Sequence, residues 1–373
     1  MIKVPFFVPD FDAREEQAVV DVLRSGWIAM GPSVEAFEEA FAAMLGCRFA
    51  VALNSCTAAL HIANILADLG PGDEVIVPSL TFAATANAVH FTGATPVFAD
   101  IVGTEDWTLC PESVKAHITP RTKAIVPMHY AGYPCDMAAF GDLASEGGYA
   151  VIEDACHGLG GAVDGRAMGT IGLMGCFSFY SNKIMTTGEG GMLTTNDARL
   201  AERARAIRSH GQTKTAVDRM RGAMGYDITE VGYNYRLDDL RAAIGLVQLE
   251  RLKRSVARRK ELVACYKDKL EGVEELHIPN HGGRGEPAHY ILPACVRGID
   301  RDRLRERMAE DGIQTSMHYP PVHHFEHYAD PTLELPHTEW VGHNAFSLPL
   351  FPSMTEEQVG AVCESIRKHA GAK

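Results

Sequence analysis

The sequence predicts an α/β protein: a large domain with a mainly parallel sheet between helices, followed by a smaller α/β C-terminal domain. Three observations carry this. Short apolar runs alternate with amphipathic helical patterns over most of the chain's first two thirds. Those runs are nearly continuous, as in strands covered on both faces. Past Val231 the rhythm gives way to one long helical stretch, Leu240–Tyr266, which reads as a connector. The 373 residues accommodate a large domain over 1–250 and a smaller one over 251–373.

Taken in order, Val34–Leu45 reads as a helix, with Phe37, Phe41 and Leu45 at helical spacing. Phe49–Leu53 is a strand ending at Asn54, Cys56–Leu69 returns to helix, and Glu74–Pro78 is again a strand. Thr95–Asp100, Ala124–Met128 and Ala150–Asp154 repeat the strand pattern. Pro279–Pro287, rich in Gly and His, reads as a surface loop. Beyond it, His289–Val296 and Ile313–His318 read as strands and Arg301–Asp311 as a helix. Sheets of this kind bind ligands beyond the carboxyl ends of their strands.

Composition narrows the function classes. The net charge of -13 argues against a nucleic-acid coat, which needs a concentrated basic surface. The densest basic run, Arg251–Lys260, falls in the connector helix and reads as a solvated face. Nine cysteines form no CxxC pair and are odd in number, so neither a disulfide framework nor a zinc knuckle is expected. Cys176 and Cys295 lie in apolar runs, where cysteine acts as a small hydrophobe. A reducing cytoplasm suits this usage. Met1–Asp12 lacks the basic start and apolar run of a secretory leader, and no stretch approaches the ~20 apolar residues of a membrane span. A soluble, cytoplasmic protein is expected.

Four strand ends supply polar residues that make chemical sense together. Asn54-Ser55-Cys56-Thr57 runs from a strand into a helix start, where free N–H groups and the Thr57 hydroxyl suit an anion, although Ser and Thr there also act as plain caps. The strand Ala150–Asp154 ends in a carboxylate that can hold a cationic ring nitrogen or cap the next helix, with His157 just beyond. Cys176–Ser178 leads into Lys183 and then a Gly-rich turn, Gly188-Glu189-Gly190-Gly191. A lysine at the edge of an apolar pocket is expected to have a lowered pKa, which frees an amine to form an imine with an aldehyde cofactor. The glycines let the backbone pass close to a bulky ligand. In Thr81-Phe82-Ala83-Ala84-Thr85-Ala86-Asn87, Phe82 can lie flat on a heteroaromatic ring or belong to the core.

Together these segments resemble the DegT/DnrJ/EryC1/StrS family of sugar aminotransferases. The resemblance extends from Gly26-Trp27-Ile28-Ala29-Met30-Gly31 to Ser347-Leu348-Pro349-Leu350, through Pro127–Gly132, Arg208-Ser209-His210-Gly211 and Gly232-Tyr233-Asn234-Tyr235-Arg236. It implies the fold-type-I architecture of pyridoxal-phosphate (PLP) enzymes, with a seven-stranded type of sheet. By the same resemblance Lys183 would hold PLP as a Schiff base and move the proton. Asp154 would pair with the pyridine nitrogen, His157 would lie by the ring's phenolic oxygen, and Phe82 would stack on the ring, where many relatives place Trp. Cys56, Thr57 and Ser178 would hold the phosphate, and Asn234 would reach it from the neighbouring subunit of a homodimer. Ser55-Cys56-Thr57 replaces the common Ser-Gly-Thr, which leaves the backbone donors in place. Relatives that eliminate water carry His for the lysine, so Lys183 disfavours that chemistry.

The implied reaction is ping-pong transfer from glutamate to a nucleotide-linked keto-sugar, at C4 by likeness of the His129-Tyr130-Ala131-Gly132 stretch. A keto-cyclitol or a C3 keto-sugar is the alternative acceptor. Two readings from other classes compete. One is a metal-dependent enzyme built on His318, His323, His324 and His327, but Pro320 and Pro321 break that segment and spacing completes no zinc ligand set. No metal is therefore expected. His318 and Tyr319 read instead as substrate contacts. The other is a non-catalytic PLP-binding regulator, against which Lys183, Asp154 and His157 stand together.

Overall fold

A computed structural model describes residues 2–214, 218 and 221–370. The chain opens with α1 (Ala13–Ser25), capped by a reciprocal Asp12–Glu15 box, and α2 (Pro32–Leu45). Then follow β1 (Phe49–Leu53), α3 (Cys56–Leu66), β2 (Glu74–Pro78), α4 (Ala84–His90), β3 (Thr95–Ala99), β4 (Ile101–Gly103), β5 (Asp106–Leu109) and α5 (Pro111–Ala116). The next elements are β6 (Thr122–Ile125), α6 (Met137–Gly147), β7 (Ala150–Asp154), β8 (Ala162–Val163), β9 (Arg166–Ala167), β10 (Met174–Ser178), β11 (Gly191–Thr195) and α7 (Ala198–Arg208). The long helix α8 (Asp239–Lys269) leads to β12 (Leu276–His277), β13 (Leu292–Val296), α9 (Arg301–Glu310), α10 (Pro336–Asn344), β14 (Ala345–Leu348) and α11 (Glu356–Ala370).

The main sheet has seven strands in the order β1-β11-β10-β7-β6-β2-β3. Pairs β2/β3, β2/β6, β6/β7 and β7/β10 are parallel, and only β11 runs against its neighbours. Every residue of β2 and β11 is buried, including Glu74, Thr194 and Thr195, as in strands covered on both faces. The carboxyl ends of β1, β2, β7 and β10 and the amino end of β11 therefore meet at one edge.

A three-stranded antiparallel sheet, β12-β13-β14, forms a second centre. Its core joins Leu292 and Val296 to Leu262, Val263 and Tyr266 of α8, to α9 and α11, and to Val4 from the chain start. Among the described residues, no helix is long and apolar enough to cross a membrane.

Three expectations need correction. The basic run on α8 is not a uniformly solvated face. Arg251 is buried against Glu15 at 2.8 Å, and fully buried Arg259 donates to the carbonyls of Tyr290 and Leu350 at 2.9 and 3.0 Å. Periodicity cannot show that a guanidinium has carbonyls waiting for it. Ile313–His318 is not a strand, because only isolated bridges at Ile313 and Ser316 hold it. Pro279–Pro287 is not wholly surface: His281 is buried, stacked on Tyr133 with centroids 3.9 Å apart.

Candidate active site

A cavity of about 470 Å³ opens at the shared strand edge, a size that suits a small cofactor with part of its substrate. Lys183, Asp154, Cys56, Thr57, Ser178, Phe82, His318 and Tyr319 all line it. Asp154 and Ser178 close strands and Cys56 and Thr57 open α3, while Lys183, Phe82, His318 and Tyr319 come from the connecting segments.

Asp154 is the last residue of β7 and is almost fully buried. Its Oδ1 accepts the Cys156 N–H at 3.2 Å and its Oδ2 accepts the Thr85 hydroxyl at 2.8 Å. Since Thr85 spends its proton on Asp154, its oxygen receives the Thr81 hydroxyl 2.9 Å away. Thr85 of α4, backed by Thr81 from the segment before the helix, therefore fixes the carboxylate.

Lys183 is buried and its Nζ lies 4.2 Å from the centroid of the Tyr290 ring. Burial pulls its pKa down, as expected, but Tyr290 and the thiols Cys156 and Cys56 outweigh burial. The net position is above the ordinary lysine value, so the expected lowering is reversed. The π face of Tyr290 favours the ammonium. Tyr290 is itself anchored by its hydroxyl, which donates to Asn182 Oδ1 at 2.9 Å.

His157 does not itself line the cavity; it packs on Tyr290, which does, with ring centroids 4.1 Å apart. Its Nδ1 accepts the Ala131 N–H at 3.2 Å. Burial, then the Lys183 ammonium, hold its pKa well below the ordinary histidine value. A neutral ring with Nδ1 as acceptor carries its proton on Nε2 and donates it to the Tyr319 hydroxyl at 2.9 Å. His318 is also neutral, pushed down to about 3 by burial and by Lys183, with Nδ1 2.9 Å from Ser347 Oγ. Its carbonyl accepts the Tyr130 hydroxyl.

At the other end of the cavity, Ser55 caps α3 with its side chain accepting from the Ala58 N–H at 3.1 Å. Cys56 and Thr57, at the start of that helix, line the same cavity as Ser178. Gly191 shows why glycine stands here. A Cβ would come within 2.4 Å of the Ser55 carbonyl group, so the close approach is between β11 and the α3 cap. Phe82 is 59% exposed at the mouth, tilted against Tyr319 at 5.8 Å. Asn234 does not line the cavity in its own protomer. It pairs with Ser209, and its carbonyl accepts from Asn54 Nδ2 at 3.4 Å.

A model of the DegT/DnrJ/EryC1/StrS aminotransferase family matches residues 9–367. The chain belongs to this family. It is 40% identical over 375 aligned positions to the spore coat polysaccharide biosynthesis protein SpsC of Bacillus subtilis, covering 98% of this chain and 96% of that one. Among solved structures it is similar to the aminotransferase TlmJ of Streptoalloteichus hindustanus, with a TM-score of 0.91 and 35% identity, covering 99% and 98% of the two chains. It is also similar to DesV of S. venezuelae, solved with a ketimine intermediate, with a TM-score of 0.90, 36% identity and 97% and 95% coverage. The architecture is that of fold-type-I PLP enzymes, and the protein is a sugar aminotransferase of the DegT/DnrJ/EryC1/StrS family.

The residues present fit PLP. A buried amine, a buried carboxylate with a fixed orientation and a hydroxyl-rich helix start occupy one cavity. They match the aldehyde, the ring nitrogen and the phosphate in chemistry. Two residues the sequence reading did not single out complete the set. Thr85 was legible as the partner of Thr81 at helical spacing. Tyr290, inside an apolar strand pattern, carried no local signal.

Proposed function

We propose that this aminotransferase moves an amino group from glutamate to a nucleotide-linked keto-sugar, at C4, in a ping-pong cycle through Lys183. The observation that carries the reading is the convergence of Lys183 and Asp154 in one cavity, with neutral His157 hydrogen-bonded to Tyr319 of its lining. The names of the relatives support a sugar acceptor, since SpsC is a polysaccharide biosynthesis protein. Bound in the cleft, PLP would supply an aldehyde that exchanges amines and a ring that takes up electrons as the substrate carbon loses its proton.

The protein's own groups do the rest. Asp154 would hold the ring nitrogen protonated, and the Thr81–Thr85 relay keeps its carboxylate from rotating. Lys183 Nζ would anchor the cofactor, then take the proton from the substrate carbon and return it during the second half of the cycle. Tyr290 limits where Nζ can travel. His157 Nε2–H directs the Tyr319 hydroxyl, and Tyr319 with His318 forms the wall nearest the incoming substrate. Cys56, Thr57 and Ser178 would grip the phosphate through backbone and hydroxyl donors. Phe82, exposed at the mouth, would cover the ring once it is in place.

A homodimer with shared sites belongs to the same proposal, with Asn234 reaching the partner's phosphate. Met224, Tyr226, Ile228 and Val231, just ahead of Asn234, are exposed apolar residues on one protomer, which a partner surface would cover. The test is spectroscopic. PLP-loaded protein should lose its yellow absorbance with glutamate and regain it with a nucleotide-linked 4-keto-sugar. Recovery only with a C3 keto-sugar or a keto-cyclitol would replace the proposed acceptor, and no response to any amino acid would refute the reading.

A further inference from the structure

Two histidines and a glutamate converge outside the Lys183 cleft. His323 and His324 close a short 3-10 turn, Val322–His324, and Glu339 lies in the first turn of α10. One ligand atom from each lies within 4.8 Å of the other two. His323 Nε2 stands 3.7 Å from Glu339 Oε1, beyond hydrogen-bonding reach. That nitrogen has no hydrogen-bond partner, and His323 is only 5% exposed. A buried ring nitrogen without a partner is unfavourable and calls for a ligand.

The surroundings are those of a metal-binding imidazole. Ser79, just after β2, places Oγ 2.6 Å from His323 Nδ1 and accepts the His323 backbone N–H at 3.1 Å. If Nδ1–H donates to Ser79, the lone pair of Nε2 faces His324 and Glu339, which is how outer hydrogen bonds orient metal-binding histidines. Asp100 adds negative charge close by, its carboxylate accepting the N–H groups of His337 and Thr338 at 3.1 and 2.8 Å at the start of α10.

We propose that His323 Nε2, His324 and Glu339 bind one divalent cation of the zinc class, with water completing the shell. Two imidazoles and one carboxylate select such an ion over magnesium or calcium, which prefer all-oxygen shells. Bonds of about 2.0–2.2 Å in a tetrahedron put ligand atoms ~3.3 Å apart. The His323–Glu339 separation is already close to that. The remaining closure falls to the exposed His324 and half-exposed Glu339 side chains, with Glu339 Oε1 also accepting the Leu335 N–H at 3.3 Å. The sequence offers His323 and His324 as ligands but not the carboxylate, because Glu339 comes from another helix.

The ion would tie the turn after Tyr319 to α10 and, through Ser79, to the end of β2. Val322 N–H already bonds the Ser79 carbonyl at 2.9 Å. It would therefore brace the wall of the cleft that carries Tyr319, without touching the reacting atoms.

Cobalt(II) is the probe, added to PLP-loaded protein lacking any histidine tag. The expected result is one Co²⁺ per chain with a tetrahedral visible spectrum, displaced by Zn²⁺. His324→Ala and Glu339→Gln should each weaken uptake at least ~tenfold, while keeping cofactor absorbance and turnover in metal-free buffer. Saturating Zn²⁺ should raise the Tm of the parent chain but not of the variants. No uptake by the parent chain, or uptake unchanged in both variants, overturns the site.

Discussion

Lys183 Nζ lies 4.2 Å from the centre of the Tyr290 ring, and Tyr290 is pinned by its hydroxyl to Asn182. This contact, absent from any sequence motif, sets both the position and the protonation of the lysine. Tyr290→Phe keeps the ring and should lower kcat/KM less than ~tenfold. Tyr290→Leu removes the π face and should cost up to ~30-fold, in line with about 2 kcal/mol for a desolvated cation–π contact. Steady-state kinetics of the two variants separate ring from hydroxyl, and equal losses would count against the contact.

The same contact predicts a pH dependence. Lys183 sits above the ordinary lysine value, with Tyr290 the largest of the groups opposing burial. Only the free amine attacks an aldehyde, so the rate of PLP uptake by cofactor-free protein should climb with pH into the alkaline range. In Tyr290→Leu, which removes both ring and hydroxyl, the raising influence is lost and the rise should move to lower pH. Stopped-flow absorbance checks this, and an unmoved profile would contradict it.

Asp154 and Thr85 form the second prediction pair. Asp154→Asn keeps the shape but loses the charge, and kcat should fall by ~10²-fold or more. Thr85→Val leaves the carboxylate charged but unsteadied, at a cost of about 1–3 kcal/mol, or roughly five- to 150-fold. Thr85→Ser should recover most of it. A Thr85→Val enzyme as active as the parent would remove the relay from the account.

His157 should stay neutral throughout the working range. Its Nδ1 takes the Ala131 N–H and its Nε2–H serves Tyr319. Nitrogen-15 NMR of histidine-labelled protein should therefore show one ring fixed as the Nε2–H tautomer from pH 5 to 9. An imidazolium signal for His157 appearing near pH 6 would refute the assignment.

Stability rests on a different buried group. Glu153 accepts N–H groups from Gly169, Ile171 and Gly172 at 2.6–2.7 Å and pairs with His129 at 2.9 Å. Burial pushes its pKa up, but His129 and the backbone donors win and hold it below the ordinary glutamate value. A lowered folded pKa gives stability that is present above the unfolded value and lost as pH falls through the folded one. Glu153→Gln should cost about 3 kcal/mol at pH 7 and less near pH 3. Urea unfolding at the two pH values tests the sign.

Much of the fold was legible because its strands are buried on both faces, so Glu74–Pro78 and Ala150–Asp154 stand out as apolar runs with polar ends. The strand ends then named Asp154, Cys56 and Ser178 directly. What stayed hidden depends on partners distant in sequence. Arg259 looks like a solvent-facing base until the carbonyls of Tyr290 and Leu350 appear. Ile313–His318 has a strand's composition but lacks a ladder to join. The protonation of Lys183 was misjudged because burial was visible and the Tyr290 ring was not.

The most direct measurement is borohydride reduction of the PLP-loaded protein followed by peptide mass mapping. The account predicts a single phosphopyridoxyl adduct, on the peptide carrying Lys183. An adduct on another lysine, or none at all, would contradict it.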